Sequence, residues 1–309
     1  MNLEPINQKK LYNLTDHFNE LANLYKKKKL PCKILLSGQK GIGKSTLAYH
    51  LINFVLSQDE EYKYDLNNQS INKNNRSYKL TINKSNPNFI LIDILEEKKT
   101  IDILQIRNLI SNLNKSSFNT KPRFILIDNI EYLNINSVNA LLKVLEEPAM
   151  NTFFILIHNN KKILSTLSSR CLNYKISLSN KSSIDVIKNL LGNDIFKSIN
   201  EDLINYYSTP GNFFYLIKFV NENNLDLSNI DLKNFLLLLI KENYYKKDIS
   251  IKYMIYDYIE FYFRKNSLLF NKKLSNNYSY FLKKVSDTKK FNLDEESLFM
   301  EFEEEILNG

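Results

Sequence analysis

Cysteine is almost absent from this chain of 309 residues: Cys32 and Cys171 are the two it has, far apart in sequence and in no Cys-x-x-Cys pair. That spacing excludes a disulfide framework and leaves no zinc site to be read. Long apolar runs are missing too. None approaches the roughly 20 residues that cross a bilayer, and residues 1–10 carry no apolar signal core, so a cytoplasmic location with no membrane partner is expected. Histidine occurs three times, and nothing near His158 in sequence supplies a nucleophile for a catalytic triad. No stretch interleaves aromatic and basic residues as a single-strand stacking platform would. Basic residues outnumber acidic ones, and the formal net charge of +8 points to a polyanionic neighbour. Asn, Lys and Ile are abundant throughout, however, so much of that lysine reads as ordinary solvated surface.

Glycine is scarce as well, yet three of the six, Gly38, Gly41 and Gly43, crowd into one stretch. The run Lys33-Ile34-Leu35-Leu36-Ser37-Gly38-Gln39-Lys40-Gly41-Ile42-Gly43-Lys44-Ser45-Thr46 feeds a short buried strand, 34–36, into a tight turn and then into an amphipathic helix carrying Leu47, Leu51, Phe54 and Val55. It reads as a phosphate-binding loop. The glycines let backbone N–H groups face inward at the start of a helix, where the helix dipole also favours an anion. Lys44 supplies a charge for the β- and γ-phosphates of ATP, and Ser45 a hydroxyl for the accompanying Mg²⁺; residues 38–45 fit G-x-x-x-x-G-K-[ST] without a gap.

The rest of the chain follows a βαβ rhythm and then changes texture. Helical spacing over 7–25 predicts an N-terminal helix, whose basic run 26–29 reads as a solvated helix end. Residues 59–88, rich in Asn, Lys, Ser and Tyr, read as an insertion loop without regular structure. A strand is expected over 89–95 and a helix around Ile101 to Leu113. The strand 124–127 ends in Asp128, a carboxylate at the C-terminal end of a buried parallel strand, where it can reach Mg²⁺ through water or the Ser45 hydroxyl. Its ordinary alternative is a helix cap. Asn136 is expected to cap the next helix, which Pro148 stops. A strand over 152–157 ends in His158-Asn159-Asn160. Either His158 or Asn159 is placed to sense a γ-phosphate, and Asn is chemically the better donor because its charge does not vary with pH. Beyond 179 the pattern is helical throughout: 184–191, 195–207, 212–220, 235–240, 251–263 and 278–285, followed by an acidic segment, 294–305. Aromatics over 253–263 fall on more than one helix face, which predicts burial between helices or a subunit contact.

The run Asp128-Asn129-Ile130-Glu131-Tyr132-Leu133-Asn134, the later Asn139-Ala140-Leu141-Leu142-Lys143-Val144-Leu145-Glu146-Glu147-Pro148 and then Ser169-Arg170-Cys171 closely resemble the AAA+ ATPase subunits of clamp loaders. The resemblance covers roughly residues 11–178. Within that family, three departures favour the delta-prime branch of bacterial DNA polymerase III over the gamma/tau motor branch. The motors carry a zinc-binding cysteine cluster between the Walker motifs, and here that region has no cysteine. Their Walker B aspartate is followed by glutamate, whereas Asn129 cannot serve as the carboxylate that polarises water. Their lid has an arginine in a Gly-x-x-Arg pattern, and Gly211-Asn212-Phe213-Phe214 puts a ring there.

The resemblance implies a RecA-like parallel α/β nucleotide domain over 1–179, a small helical lid over 180–228 and a helical collar over 229–309. It further implies a five-subunit ring with gamma/tau and delta types that places a sliding clamp on primed DNA, with Arg170 acting as an arginine finger in a neighbour's ATP site. Loss of the Walker B glutamate and the lid arginine is expected to leave ATP binding but cripple turnover. Two other readings stay open. One is a self-sufficient AAA+ motor, of gamma/tau type or a DNA translocase, in which Glu131 replaces the missing glutamate. The other is a scaffold subunit whose phosphate loop is vestigial.

Overall fold

The computed structural model describes residues 4–308 apart from 96, 97, 99, 116–118, 162, 205–207, 248, 267–271 and 292. The chain divides into two compact units, Met1–Val186 with Thr209–Gly211, and Ile187–Ser208 with Asn212–Gly309.

In the first unit five strands, β1 (Lys33–Ser37), β2 (Phe89–Ile92), β3 (Arg123–Ile127), β4 (Thr152–His158) and β5 (Leu172–Lys175), form one sheet in the order β2-β3-β4-β1-β5. Every pairing is parallel, and β1 lies between β4 and β5 with Leu35 opposite Leu156 and Asn173. Strands buried on both faces must be apolar almost without interruption, which is why 34–36 and 124–127 read as runs rather than alternations. Alternate residues still face opposite layers. Ile34, Leu36, Phe124 and Leu126 pack with α1 (Thr15–Lys26) and α2 (Lys44–Leu56), whereas Leu35, Ile125, Ile127 and Leu156 pack on the other side. The expected parallel α/β architecture is therefore present.

The segment 59–88 departs from expectation. It is built into the first layer and contains α3 (Arg76–Ile82), with Tyr64, Ile71 and Tyr78 in the core. Its Asn content, which suggests disorder, instead supplies bonds that regular structure would have supplied. The fully buried Asn75 accepts from the Tyr78 N–H at 2.7 Å as the cap of α3 and from Asn53 Nδ2 at 3.0 Å, and donates to the Tyr62 carbonyl at 2.8 Å. His50, also fully buried, joins the segment to α2 through Tyr64 Oη at 2.8 Å and reaches the Gln8 carbonyl at 3.1 Å.

On the opposite face lie α4 (Ile103–Leu113) and α5 (Ile135–Glu146), whose Ile106, Leu109, Leu141 and Leu145 complete the second core, followed by the short α6 (Ser165–Ser168). Asn134, not Asn136, caps α5: its side chain accepts from the Ser137 N–H at 2.8 Å, because the helix begins at Ile135, two residues earlier than an Asn136 cap would allow. The predicted N-terminal helix is shorter than its apolar spacing: α1 starts at Thr15, and 8–14 is non-helical, with Lys10 bridged to Ser70. The strand expected over 89–95 ends at Ile92.

The remaining helices are α7 (Asn180–Leu191), α8 (Pro210–Glu222), α9 (Leu232–Lys241), α10 (Tyr244–Lys247), α11 (Ile249–Lys265), α12 (Lys272–Phe291) and α13 (Glu295–Phe302). In place of a helix over 195–207 stand two 3₁₀ turns, Asn193–Lys197 and Glu201–Leu203, and 205–207 lie outside the described residues. The second unit is held by rings. Phe263, Phe281 and Phe302 are fully buried, with centroids 5.5–6.0 Å apart. In α11, Tyr256, Tyr258, Phe261 and Phe263 are buried while Tyr253 is exposed, so burial between helices accounts for its many-faced aromatics. The acidic segment has a local use. Glu295, Glu296, Glu301 and Glu303 pair with Lys252, Lys246, Lys284 and Lys241 respectively, and Asp294 caps α13.

Burial pushes the pKa of His50 down to about 4 from its ordinary 6.5. The folded ring stays neutral while the unfolded one takes up a proton, so stability is constant above pH 6.5 and falls as pH drops toward 4, by up to about 1.4 kcal/mol per pH unit from this group. Urea denaturation of wild type and His50→Gln across that range is expected to show a shallower acid slope in the variant.

Candidate functional site

All five strands run the same way, so the C-terminal ends of β1 to β4 open onto one edge, and the residues just beyond them meet there. At the end of β1 the glycine turn leads into α2, with Gly43 at φ +93° as its N-cap, a conformation that L side chains rarely adopt. Lys44 follows and is 3% exposed. Its ammonium donates to the Gly38 carbonyl at 2.9 Å, the Gln39 carbonyl at 2.6 Å and Asn159 Oδ1 at 3.0 Å. Burial lowers its pKa to about 8, against the opposing charges of Asp128 and Glu131. Ser45 donates its hydroxyl to Asp128 Oδ2 at the end of β3, and Thr46 sits half-buried in the first turn of α2. Burial raises the Asp128 pKa to about 6, an effect that the Ser45 bond opposes and Asp93 reinforces.

Asn129 is the link between strand ends. It takes a left-handed conformation, φ +55°, that brings its own N–H to Asp128 Oδ1 at 2.8 Å and turns its side chain sideways. Its Nδ2 donates to Asp93 Oδ1 at 2.8 Å, and its Oδ1 accepts from Asn159 Nδ2 at 2.9 Å. A chain of bonds thus runs in one sense, Lys44 to Asn159 to Asn129 to Asp93. Its direction is dictated by its ends, since an ammonium can only donate and a carboxylate only accept. Glu131 adds a second acceptor: its Oε1 takes the same Asn159 Nδ2 at 2.9 Å, while its Oε2 is buried without a hydrogen-bond partner. His158, the other sensor candidate, is not in this chain. Its Nδ1 is buried and unpartnered, and burial pushes its pKa down.

Gly38, Gly41, Gly43, Lys44, Ser45, Asp128, Asn129 and Asn159 therefore lie in one continuous region, and Arg170 does not. Just beyond α6, its Nε and Nη2 both donate to Glu146 Oε1, at 3.0 and 2.6 Å, and Nη1 to the Thr166 carbonyl at 2.9 Å. Sequence reasoning passed over Asp93. The signal was present: a carboxylate directly after the apolar run 89–92, as Asp128 follows 124–127. What the donor set can do is hold an anion beside a hard cation. Inward N–H groups and Lys44 meet phosphate, and the touching oxygens of Ser45 and Asp128 are donors of the kind that Mg²⁺ takes.

The outer wall of the glycine turn is Thr209–Gly211, which belongs to the same unit. The Gly211 N–H donates to the Gly41 carbonyl at 2.9 Å. A methyl group at Gly41, where φ is +85°, would come within 2.6 Å of Thr209 Oγ1 and 2.9 Å of the Gly211 Cα. Gly41→Ala is expected to lower the urea midpoint, at a cost of about 2 kcal/mol from the backbone strain and the clash together.

The profile of the family described as DNA polymerase III, delta subunit, matches residues 14–180. The DNA polymerase III subunit delta' of Buchnera aphidicola from Schizaphis graminum is 27% identical over 264 residues, spanning 82% of this chain and 78% of that protein. The subunit of the same name from Pseudomonas aeruginosa is 30% identical over 139 residues, 45% of this chain and 40% of that one. Among solved structures, a gamma subunit-related protein of DNA polymerase III from Thermotoga maritima has the same fold, with a TM-score of 0.50 at 17% identity over 92% of this chain and 96% of that one.

Proposed function

The chain belongs to the DNA polymerase III, delta subunit family, and from that premise we propose that it works as a delta-prime-type clamp-loader subunit that binds ATP with Mg²⁺, hydrolyses it weakly and lends Arg170 to a neighbouring subunit. The observation that carries this reading is the contrast around Asn129. Lys44, Ser45 and Asp128 are assembled for a nucleoside triphosphate and its cation, yet the residue after Asp128 is an amide tied between Asp93 and Asn159. An amide cannot take a proton from an attacking water, so binding is retained while the step that needs a base is starved. Bound with ATP, Mg²⁺ would offset charge developing between the β- and γ-phosphates. Lys44 would exchange its carbonyl partners for phosphate oxygens, and Asn159 would then be free to orient toward the γ-phosphate.

Arg170 sits at the surface beyond α6, a location that suits a group acting on another chain. On this reading the helical lid over 180–228 and collar over 229–309 carry the subunit into a ring with gamma/tau and delta types, which opens a sliding clamp and sets it on primed DNA. A second reading has one observation in its favour. Glu131 lies against Asn159 with an oxygen to spare, and a self-sufficient motor would use that carboxylate as its base.

Steady-state ATP hydrolysis by the purified chain, alone and mixed with its ring partners, separates these readings. Wild type is expected to be nearly inactive alone, and Arg170→Ala to slow the site it faces in the mixture by ~10³ or more. An unchanged rate in the mixture would remove the trans role, and substantial activity alone that Glu131→Gln abolishes would favour the motor. Titration with a fluorescent ATP analogue and Mg²⁺ is expected to show binding that Lys44→Ala weakens at least ~10-fold, by loss of a charge-assisted contact; no binding by wild type would mark a scaffold.

A further inference from the structure

Away from the nucleotide site, the first unit has a cavity of about 430 Å³ lined by Lys9, Lys73 and Lys79 together with Asn7, Asn83 and Tyr78, and by no acidic residue. Its walls come from two stretches in which acidic residues are lacking altogether, 5–15 and 66–92. The fold brings these together by backbone bonds. The Ile71 N–H donates to the Lys9 carbonyl at 2.7 Å, the Leu11 N–H to the Gln69 carbonyl at 3.0 Å, and Lys10 bridges to Ser70. Lys79 and Asn83 enter from α3, whose cap Asn75 is fully buried and fully bonded. The lysines are thus carried on a rigid frame, although the segment reads in sequence as a loose insertion.

A solvated lysine face is the commonest fate of such residues, but a convex face scatters its charges, and here three converge on a hollow. None of the three is ion-paired among the described residues, whereas Lys241, Lys246, Lys252 and Lys284 of the other unit each have a glutamate. A carboxylate, Glu4, is bonded to Asn7 at 3.0 Å and leaves the surplus positive. The hollow offers ammonium groups and amides beside the side chains of Tyr78 and Ile82. It fits repeated phosphate oxygens and has no stacked rings to read or hold bases.

We infer that Lys9, Lys73 and Lys79 form a binding site for the phosphodiester backbone of DNA, separate from the nucleotide site and independent of base sequence. The inference rests on the replicative family of the chain and not on ATP binding or on Arg170, so its test needs neither. Three neutralised phosphates give duplex binding a salt slope of about −2.7 in log–log terms, which is about 40-fold in affinity between 50 and 200 mM salt.

The test is fluorescence anisotropy with a labelled 25-base-pair duplex, no nucleotide present, at 50, 100 and 200 mM NaCl. It uses the full chain as wild type, as Lys9→Ala/Lys73→Ala/Lys79→Ala, and with the same three positions changed to Arg. The alanine variant is expected to bind at least ~10-fold more weakly at 100 mM salt with a slope reduced by 2 to 3, and the arginine variant to bind as wild type does. The lysines are exposed, and unchanged urea midpoints confirm folding. No duplex binding by wild type, an unchanged slope in the alanine variant, or equal competition by millimolar inorganic phosphate would each overturn the DNA assignment; the last would mark a site for small anions.

Discussion

An ammonium buried as deeply as that of Lys44 has to be met by acceptors, because stripping water from a charge costs several kcal/mol that only well-placed oxygens return. Much of the first unit can be understood from that demand. The glycine turn bends so that the Gly38 and Gln39 carbonyls face the ammonium, and the end of β4 contributes Asn159 as the third acceptor. Once the oxygen of Asn159 is committed to Lys44, its nitrogen must find acceptors of its own. It finds Asn129 and Glu131, and Asn129 in turn needs Asp93. Four strand ends are tied into one polar chain by donor and acceptor rules alone. A parallel sheet makes this possible by delivering those ends to the same edge.

The amide at Asn129 is not interchangeable with a carboxylate. An amide can donate to Asp93 and accept from Asn159 at once, and a glutamate there could only accept. The amide thus completes the network that holds Lys44. Such a network suits the role proposed for the subunit, holding nucleotide while a neighbour does the cleaving.

Charge is managed differently in the two units. In the helical unit the acidic segment 294–305 reaches back to lysines of α9, α10, α11 and α12, so positive charge that looks free in the sequence is locally paired. In the α/β unit the stretch 66–92 has no acid of its own, and Lys9, Lys73 and Lys79 are left facing a hollow. A net charge spread evenly through the composition therefore has an uneven distribution in space.

Although α3 and β5 went unread, the sequence by itself determined the α/β class of the first unit, the places of β1 to β4 and of α2, α4 and α5, the phosphate-loop motif and the roles open to Lys44, Ser45 and Asp128. These are written in local periodicity and in short motifs, where each residue is constrained by its neighbours in the chain. It also carried the helical character of the second unit, because many-faced apolar helices cannot stand alone. Only the tertiary structure decided that Asn159 and not His158 meets Lys44, that Asp93 anchors Asn129, that Asn134 caps α5, and that 59–88 is built into the core. Each of those depends on partners 3 to 115 residues away, and side-chain amides in particular look alike in sequence whether they float in water or replace a backbone bond in the interior. The physical reason is that a hydrogen bond's worth is set by burial and by the geometry of its partner, and neither exists until the chain has folded.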